Sequence, residues 1–185
     1  MALGLCGLRV GEALGIRRSG DLDFENRVIH VCQKVIRHPG VGSVIELPKM
    51  GKTRDVPMPE WIVPLLRAQL EWSLKIHNQT DLLFTTLRGQ PLYDLAVHKY
   101  LRAACAEAGI EYRDFHSLRH TYGTLLLAAG ENPVEIAASM GHQDPALLMR
   151  LYGNHLTYGR EKRLAGALDR LFGENVAKNV ASGAE

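Results

Sequence analysis

Val28-Ile29-His30-Val31-Cys32-Gln33-Lys34-Val35-Ile36-Arg37 is followed by His38-Pro39-Gly40-Val41-Gly42 and then by Ser43-Val44-Ile45-Glu46-Leu47-Pro48. The first run is rich in β-branched residues and reads as a strand. His38 to Gly42 is a turn signal, and Ser43 to Pro48 a second strand. Lys49-Met50-Gly51-Lys52 makes another turn. Arg54 to Met58 is a short third strand that prolines bring to an end. Residues 28–58 are therefore expected to form a small three-stranded antiparallel sheet.

On both sides of this stretch the pattern is helical. Pro59-Glu60 open a helix to about Asn78, with Ile62, Leu65, Leu66, Leu70 and Leu74 on one face. Helices are expected over 93–108, stopped by Gly109, and over 115–129, stopped by Gly130. Asn132-Pro133 and Asp144-Pro145 each combine an N-cap residue with a first-turn proline. A last helix spans about 158–172, and residues 173–185 read as a small, polar, flexible tail. Upstream, Leu3, Leu5, Leu8, Ala13, Leu14 and Ile16 start an apolar pattern with no capping signal before it. That is how a domain looks when its first helices are missing. The expectation is an α+β chain, mainly helical with a small sheet, forming one domain over 1–172.

Composition limits the function classes. The 185 residues suffice for one domain with a core, and 46% are hydrophobic. No apolar run reaches membrane-spanning length, so a cytoplasmic protein is the expectation. Cys6, Cys32 and Cys105 are scattered and lack the spacing of a zinc site or a disulfide framework. The net charge of +2 leaves nucleic-acid binding open, although residues 1–57 hold nine Lys/Arg against six Asp/Glu.

Several short stretches carry chemistry. In Gly7-Leu8-Arg9-Val10-Gly11-Glu12, Arg9 and Glu12 are three apart and share a helix face, so the carboxylate can hold the guanidinium. An ordinary surface ion pair has the same spacing. Lys49 sits in a turn between strands, with Lys52 and Arg54 as neighbours able to take any role given to it. In Phe115-His116-Ser117-Leu118-Arg119-His120-Thr121, a buried stripe of Phe115, Leu118, Tyr122, Leu125 and Ala129 places His116, Arg119, His120 and Gly123 on the opposite or flanking face. Two imidazoles and a guanidinium there make an anion site; a solvated polar face is the alternative. His116 and His120 have zinc spacing, but Ser117 stands where a metalloprotease has its glutamate and Arg119 would repel a cation, so no metal is expected. Met140-Gly141-His142 ends one helix and Tyr152 lies ten residues beyond, with Tyr158 as a rival.

Taken together, Arg9, Lys49, His116-x-x-Arg119, Gly141-His142 and Tyr152 resemble, in order and setting, the active-site motifs of the tyrosine recombinases, the phage and transposon integrases. The likeness runs from about residue 3 to residue 160. Lys49-Met50-Gly51-Lys52-Thr53-Arg54-Asp55-Val56-Pro57 resembles that family's β-hairpin lysine segment, and His116 to Thr121 its second-arginine box. The resemblance implies the recombinase catalytic fold without its usual N-terminal core-binding domain. It implies Tyr152 as a nucleophile forming a 3′-phosphotyrosine, Arg9 and Arg119 as clamps on non-bridging oxygens, and Lys49 as the acid for the leaving 5′-oxygen. It makes His116 an assistant in proton transfer, His142 a hydrogen-bond donor to a non-bridging oxygen and Glu12 the support of Arg9. Lys52, Arg54 and His120 are then expected at the DNA. The implied partners are double-stranded attachment sites and three further copies in a homotetramer, with no cofactor, metal or membrane and a nucleoid location when bound. Relaxation of one duplex, as by a type IB topoisomerase, and a non-catalytic DNA-binding remnant are the rival readings. A generic helical interaction domain is the third, and it requires every motif to be accidental.

Overall fold

The computed structural model describes residues 1–48, 51–142, 146 and 150. A 3-10 turn at Gly4–Cys6 leads into α1 (Val10–Leu14). Five short strands follow: β1 (Leu22–Asp23), β2 (Val28–Val31), β3 (Lys34–His38), β4 (Gly42–Glu46) and β5 (Arg54–Pro57). The helices α2 (Val63–Leu74), α3 (Asp94–Glu107), α4 (Phe115–Ala129) and α5 (Pro133–Met140) complete the order. None of the described helices is long and apolar enough to cross a membrane.

The small antiparallel sheet is present, but its strands are shared out differently from the sequence expectation. The run 28–37 breaks at Cys32–Gln33. Its first part, β2, is central in a three-stranded sheet of order β1-β2-β5, and its second part, β3, pairs with β4 in a separate two-stranded sheet. The cause is α1. A Cβ on Gly15 would lie 2.6 Å from the Gln33 carbonyl oxygen, and one on Gly11 would lie 2.7 Å from that of Val35. Two glycines one turn apart thus let the helix press directly on the backbone of 33–35, and Gln33 Nε2 donates to Gly15 O at 2.9 Å. The chain bends there to follow the helix.

The main core lies between this sheet and the helices. It joins Leu3, Cys6 and Leu8 to Ile29 and Val31 of β2, Val56 of β5, Ile62 and Leu66 beside α2, and Phe115 of α4. A second cluster of Leu127, Ile136, Ala137 and Met140 fastens α5 to α4. The helix expected to reach Asn78 ends at Leu74, where Arg18 donates to the carbonyls of Ser73 and Asn78 at 3.1 Å each. Leu65 and Leu74, expected inside, are exposed; the inward stripe of this segment is narrower, through Ile62 and Leu66.

The face of α4 also differs from its hydrophobic pattern. The buried stripe is Phe115, Arg119, Gly123 and Leu127, at strict steps of four, while Leu125 points to solvent. An arginine stands in the interior row because Gly7 O and Met140 O accept from it and the Glu12 carboxylate lies close by. α4 starts as its residues predict: Asp114 caps it, accepting from the Ser117 N–H at 2.7 Å and the Ser117 hydroxyl at 2.6 Å. α5 starts in the same way, with Asn132 Oδ1 accepting from Val134 N–H at 2.9 Å.

Candidate active site

One buried carboxylate organises the site. Glu12 lies in the first turn of α1, with its side chain 7% exposed. Its Oε1 accepts from Arg9 Nη1 at 2.9 Å and from Arg54 Nη1 at 3.0 Å. Its Oε2 accepts from the Arg9 backbone N–H at 2.8 Å and from Arg54 Nη2 at 2.7 Å. Four donors therefore meet the roughly four acceptor positions that a carboxylate has. Arg119 Nη1 lies 4.0 Å from Oε2, so three guanidinium groups surround one anion. Burial alone would raise the Glu12 pKa. The hydrogen bond and charge of Arg54, then those of Arg9, outweigh it and hold the group below its ordinary value.

The same three arginines close the end of α5. A helix leaves its last carbonyls without intrahelical partners. Gly141 takes the left-handed conformation (φ 66°), and its N–H bonds Ala138 O at 2.9 Å while His142 N–H bonds Ala137 O at 2.8 Å. That is the Schellman ending, and it satisfies the earlier carbonyls. The later ones go to the arginines. Ser139 O accepts from Arg54 Nε at 2.8 Å, Met140 O from Arg119 Nη2 at 2.6 Å and Gly141 O from Arg9 Nη2 at 3.1 Å. Arg119 also donates to Gly7 O, which ties α4 to the turn before Arg9. Gly7 needs its positive φ of 84°, and a Cβ there would strike the Tyr122 ring at 2.7 Å. Tyr122 in turn shares a hydrogen bond with Ser139 Oγ at 2.8 Å.

Chain positions 9, 54, 119 and 142 are thus drawn to one place. Three guanidinium groups against one carboxylate leave a formal +2, reduced by only about half a charge by the negative end of a helix. The arrangement suits a bound anion. Among the three, Arg9 has the open face, with its side chain 47% exposed, against 13% for Arg54 and 2% for Arg119. His142 follows the α5 end with its Nδ1 buried and without a hydrogen-bond partner among the described residues. Burial, followed by the charges of Arg119 and Arg9, pushes its pKa down to about 4, so the ring is neutral at neutral pH. His120 is also lowered, by burial first and then by His116 and Arg119. His116 is exposed and meets His120 edge to face, with ring centroids 4.3 Å apart.

The remaining expected site residues fall elsewhere. Lys49 and Tyr152 lie outside the described residues, as do Tyr158, the Asp144-Pro145 start, the helix expected over 158–172 and the tail. Lys52 is exposed beside β5. Arg54, expected at the DNA, is turned inward onto Glu12 and Ser139. Its inward direction was legible in principle. Along β5, Val56 is fully buried, and strand alternation puts Arg54 on the same face. No group of three or more His, Cys, Asp or Glu side chains that could hold a metal ion occurs among the described residues.

Known proteins resemble this chain in sequence and in fold. Residues 1–158 match the phage integrase family. The chain is 27% identical over 186 residues to a tyrosine recombinase XerC-like protein of Caldanaerobacter subterraneus subsp. tengcongensis, covering 90% of this chain and 47% of that one. It is 31% identical over 166 residues to the transposase of transposon Tn916 from Enterococcus faecalis, covering 82% and 40%. The chain therefore spans about half the length of these curated relatives. Among solved structures, the Tn1549 transposon integrase in complex with a circular intermediate DNA superposes with a TM-score of 0.72 at 27% identity, over 82% of this chain and 52% of that one. The XerA recombinase gives 0.65 at 27%, over 82% and 50%.

Proposed function

The chain belongs to the phage integrase family, the tyrosine recombinases, and on that premise we propose that it is the part of a site-specific DNA recombinase that breaks and rejoins strands. The observation that carries the reading is the gathering of Arg9, Arg119 and His142 around the end of α5, with Glu12 between the arginines. A net positive site whose donors are fixed before substrate arrives is what a phosphodiester transition state requires, because negative charge grows on its non-bridging oxygens. Arg9 and Arg119 clamp those oxygens. His142, neutral, can donate one further hydrogen bond.

In this reading the Tyr152 oxygen attacks phosphorus. The Oη–P bond forms and the P–O5′ bond breaks, with His116 assisting removal of the phenolic proton and Lys49 delivering a proton to the leaving oxygen. A 5′-hydroxyl from another strand reverses the step. The phosphodiester energy stays in the covalent link, so neither ATP nor a metal is called for. Exchange between two duplexes cuts four strands, one tyrosine each, which makes a homotetramer the natural assembly. Double-stranded attachment sites in cytoplasmic DNA are the proposed substrate; a DNA complex of the related transposon integrase supports that choice.

A duplex nicked close to the scissile phosphate tests this, because the fragment released on cleavage diffuses away and traps the adduct. A covalent protein–DNA species mapped to Tyr152 is expected, and Tyr152→Phe should bind the duplex yet form none. Adduct on Tyr158, or undiminished adduct in the Phe variant, would remove Tyr152 from its role.

A further inference from the structure

We propose that Arg54 is a positioning residue, which fixes Glu12 and the end of α5 so that Arg9 and His142 face the scissile phosphate, and that it does not itself contact DNA. The proposal rests on the phosphodiester reading above and adds a residue to its machinery.

Arg54 comes from a strand paired into the core sheet. β5 pairs with β2 over four positions, from Val28↔Pro57 to Val31↔Arg54, and Val56 beside it is fully buried. From that strand the guanidinium makes a fork-on-fork pair with the Glu12 carboxylate at 3.0 and 2.7 Å. Its Nε simultaneously holds the Ser139 carbonyl at 2.8 Å. The end of α5 also lies against its plane: a Cβ on Gly141 would be 3.0 Å from Arg54 Cζ and from Nη1. One side chain therefore ties β5, α1 and the α5 terminus together. Arg9, by contrast, is a half-exposed helix-cap residue whose guanidinium is held, among the described residues, by Glu12 and Gly141 O. Without Arg54, Glu12 keeps two of its four donors, and both come from Arg9. All three guanidinium nitrogens of Arg54 donate within the protein, two to Glu12 and one to Ser139 O, and the side chain is 13% exposed.

The test uses the full chain and the nicked duplex at saturating DNA in a single turnover, with binding measured separately by anisotropy across salt. Arg54→Met should slow adduct formation about a hundredfold, the loss typical of an ångström-scale misplacement at a reacting centre. Affinity should change little, and the slope of log K against log salt should not. Arg54→Lys keeps the charge and loses the fork, so it should fail nearly as badly. Arg54→Met combined with Glu12→Gln should be no slower than the slower single variant, because the two act as one unit. The idea is overturned if Arg54→Met makes the salt slope shallower by about 0.9, the mark of one lost phosphate contact, while Arg54→Lys stays near wild type. Multiplying losses in the double variant would overturn it equally. A thermal melt establishes that each variant folds. The His142 imidazole, followed by NMR without DNA, gives a readout that needs no cleavage: removing the nearby cation should raise its titration midpoint, and an unmoved midpoint contradicts the placement. Should the wild type form no adduct, the phosphodiester reading fails, and the salt slope and this midpoint still decide whether Arg54 is an internal brace.

Discussion

Glu12→Gln changes one atom and should cost several degrees of thermal stability. The carboxylate accepts four N–H donors, two from Arg9 and two from Arg54, at 2.7–3.0 Å. Glutamine offers one carbonyl oxygen, and its amide nitrogen must face donors that the second oxygen had served. Hydrogen bonds to a charged group are worth about 1.5–3 kcal/mol each. The Arg9 arm is half exposed and counts for little after screening, whereas the Arg54 arm is almost buried. The loss should be about 3 kcal/mol, the low end for breaking a buried ion pair. For a chain of this size that corresponds to roughly 6–12 °C in Tm.

The pH dependence sharpens the same prediction. The folded-state pKa of Glu12 lies below its ordinary value of 4.5. The stability it contributes is therefore complete above that value and disappears as pH falls through the folded pKa. Calorimetric melts of wild type and Glu12→Gln should differ by the full amount near neutral pH. The gap should close as pH falls through that lowered folded-state value, where the wild-type carboxyl also becomes neutral. A neutral-pH gap below about 2 °C, or one that persists unchanged into acid, would refute the assignment of Glu12 as the charged centre of the network.

Two further outcomes follow from the site. Lys49→Ala should lose about two to four powers of ten in cleavage of an ordinary phosphodiester and regain most of it on a 5′-bridging phosphorothiolate, whose sulfur leaves without a proton. Rescue of Lys52→Ala in place of Lys49→Ala would reassign the acid. The His142 imidazole should titrate near 4 in the folded protein, against an ordinary value of 6.5; since the unfolded chain takes the proton first, this group should lower stability as pH falls from 6.5 towards 4. A midpoint above 6 by NMR would contradict it.

The sequence announced its motifs more clearly than their surroundings. Arg9 and Glu12 could be paired from spacing alone, and the caps Asp114 and Asn132 act as their residue types predict. The sheet was legible as strands and turns, but not in its pairing, because the break at Cys32–Gln33 is imposed by α1 through Gly11 and Gly15. No local pattern within 28–37 records a helix that comes from residues 10–14. The hydrophobic stripe of α4 misled for a related reason. Hydropathy ranks arginine as a surface residue, yet Arg119 lies inside because Gly7 O, Met140 O and Glu12 converge on it from three distant segments. Arg54 is a like case: the family resemblance put it at the DNA, while its guanidinium points inward to Glu12 and Ser139 O, the direction that strand alternation from Val56 gives.

Why one acid stands among three arginines follows from opposing demands on the site. Three guanidinium groups close together repel, and burying Arg119 without compensation would be prohibitive. Full neutralisation would settle the fold but leave nothing to attract a phosphate. A single carboxylate meets part of each demand. It takes two donors from each of two arginines and lies near the third, while the α5 carbonyls receive remaining donors with only fractional charge. The residual positive charge is then most accessible at Arg9, the arginine with its face to solvent. A second acid near Gly141 should accordingly strengthen the fold and weaken any anion site there. Loss of the first should do the reverse to the fold without improving the site, because the arginines it orients would move apart.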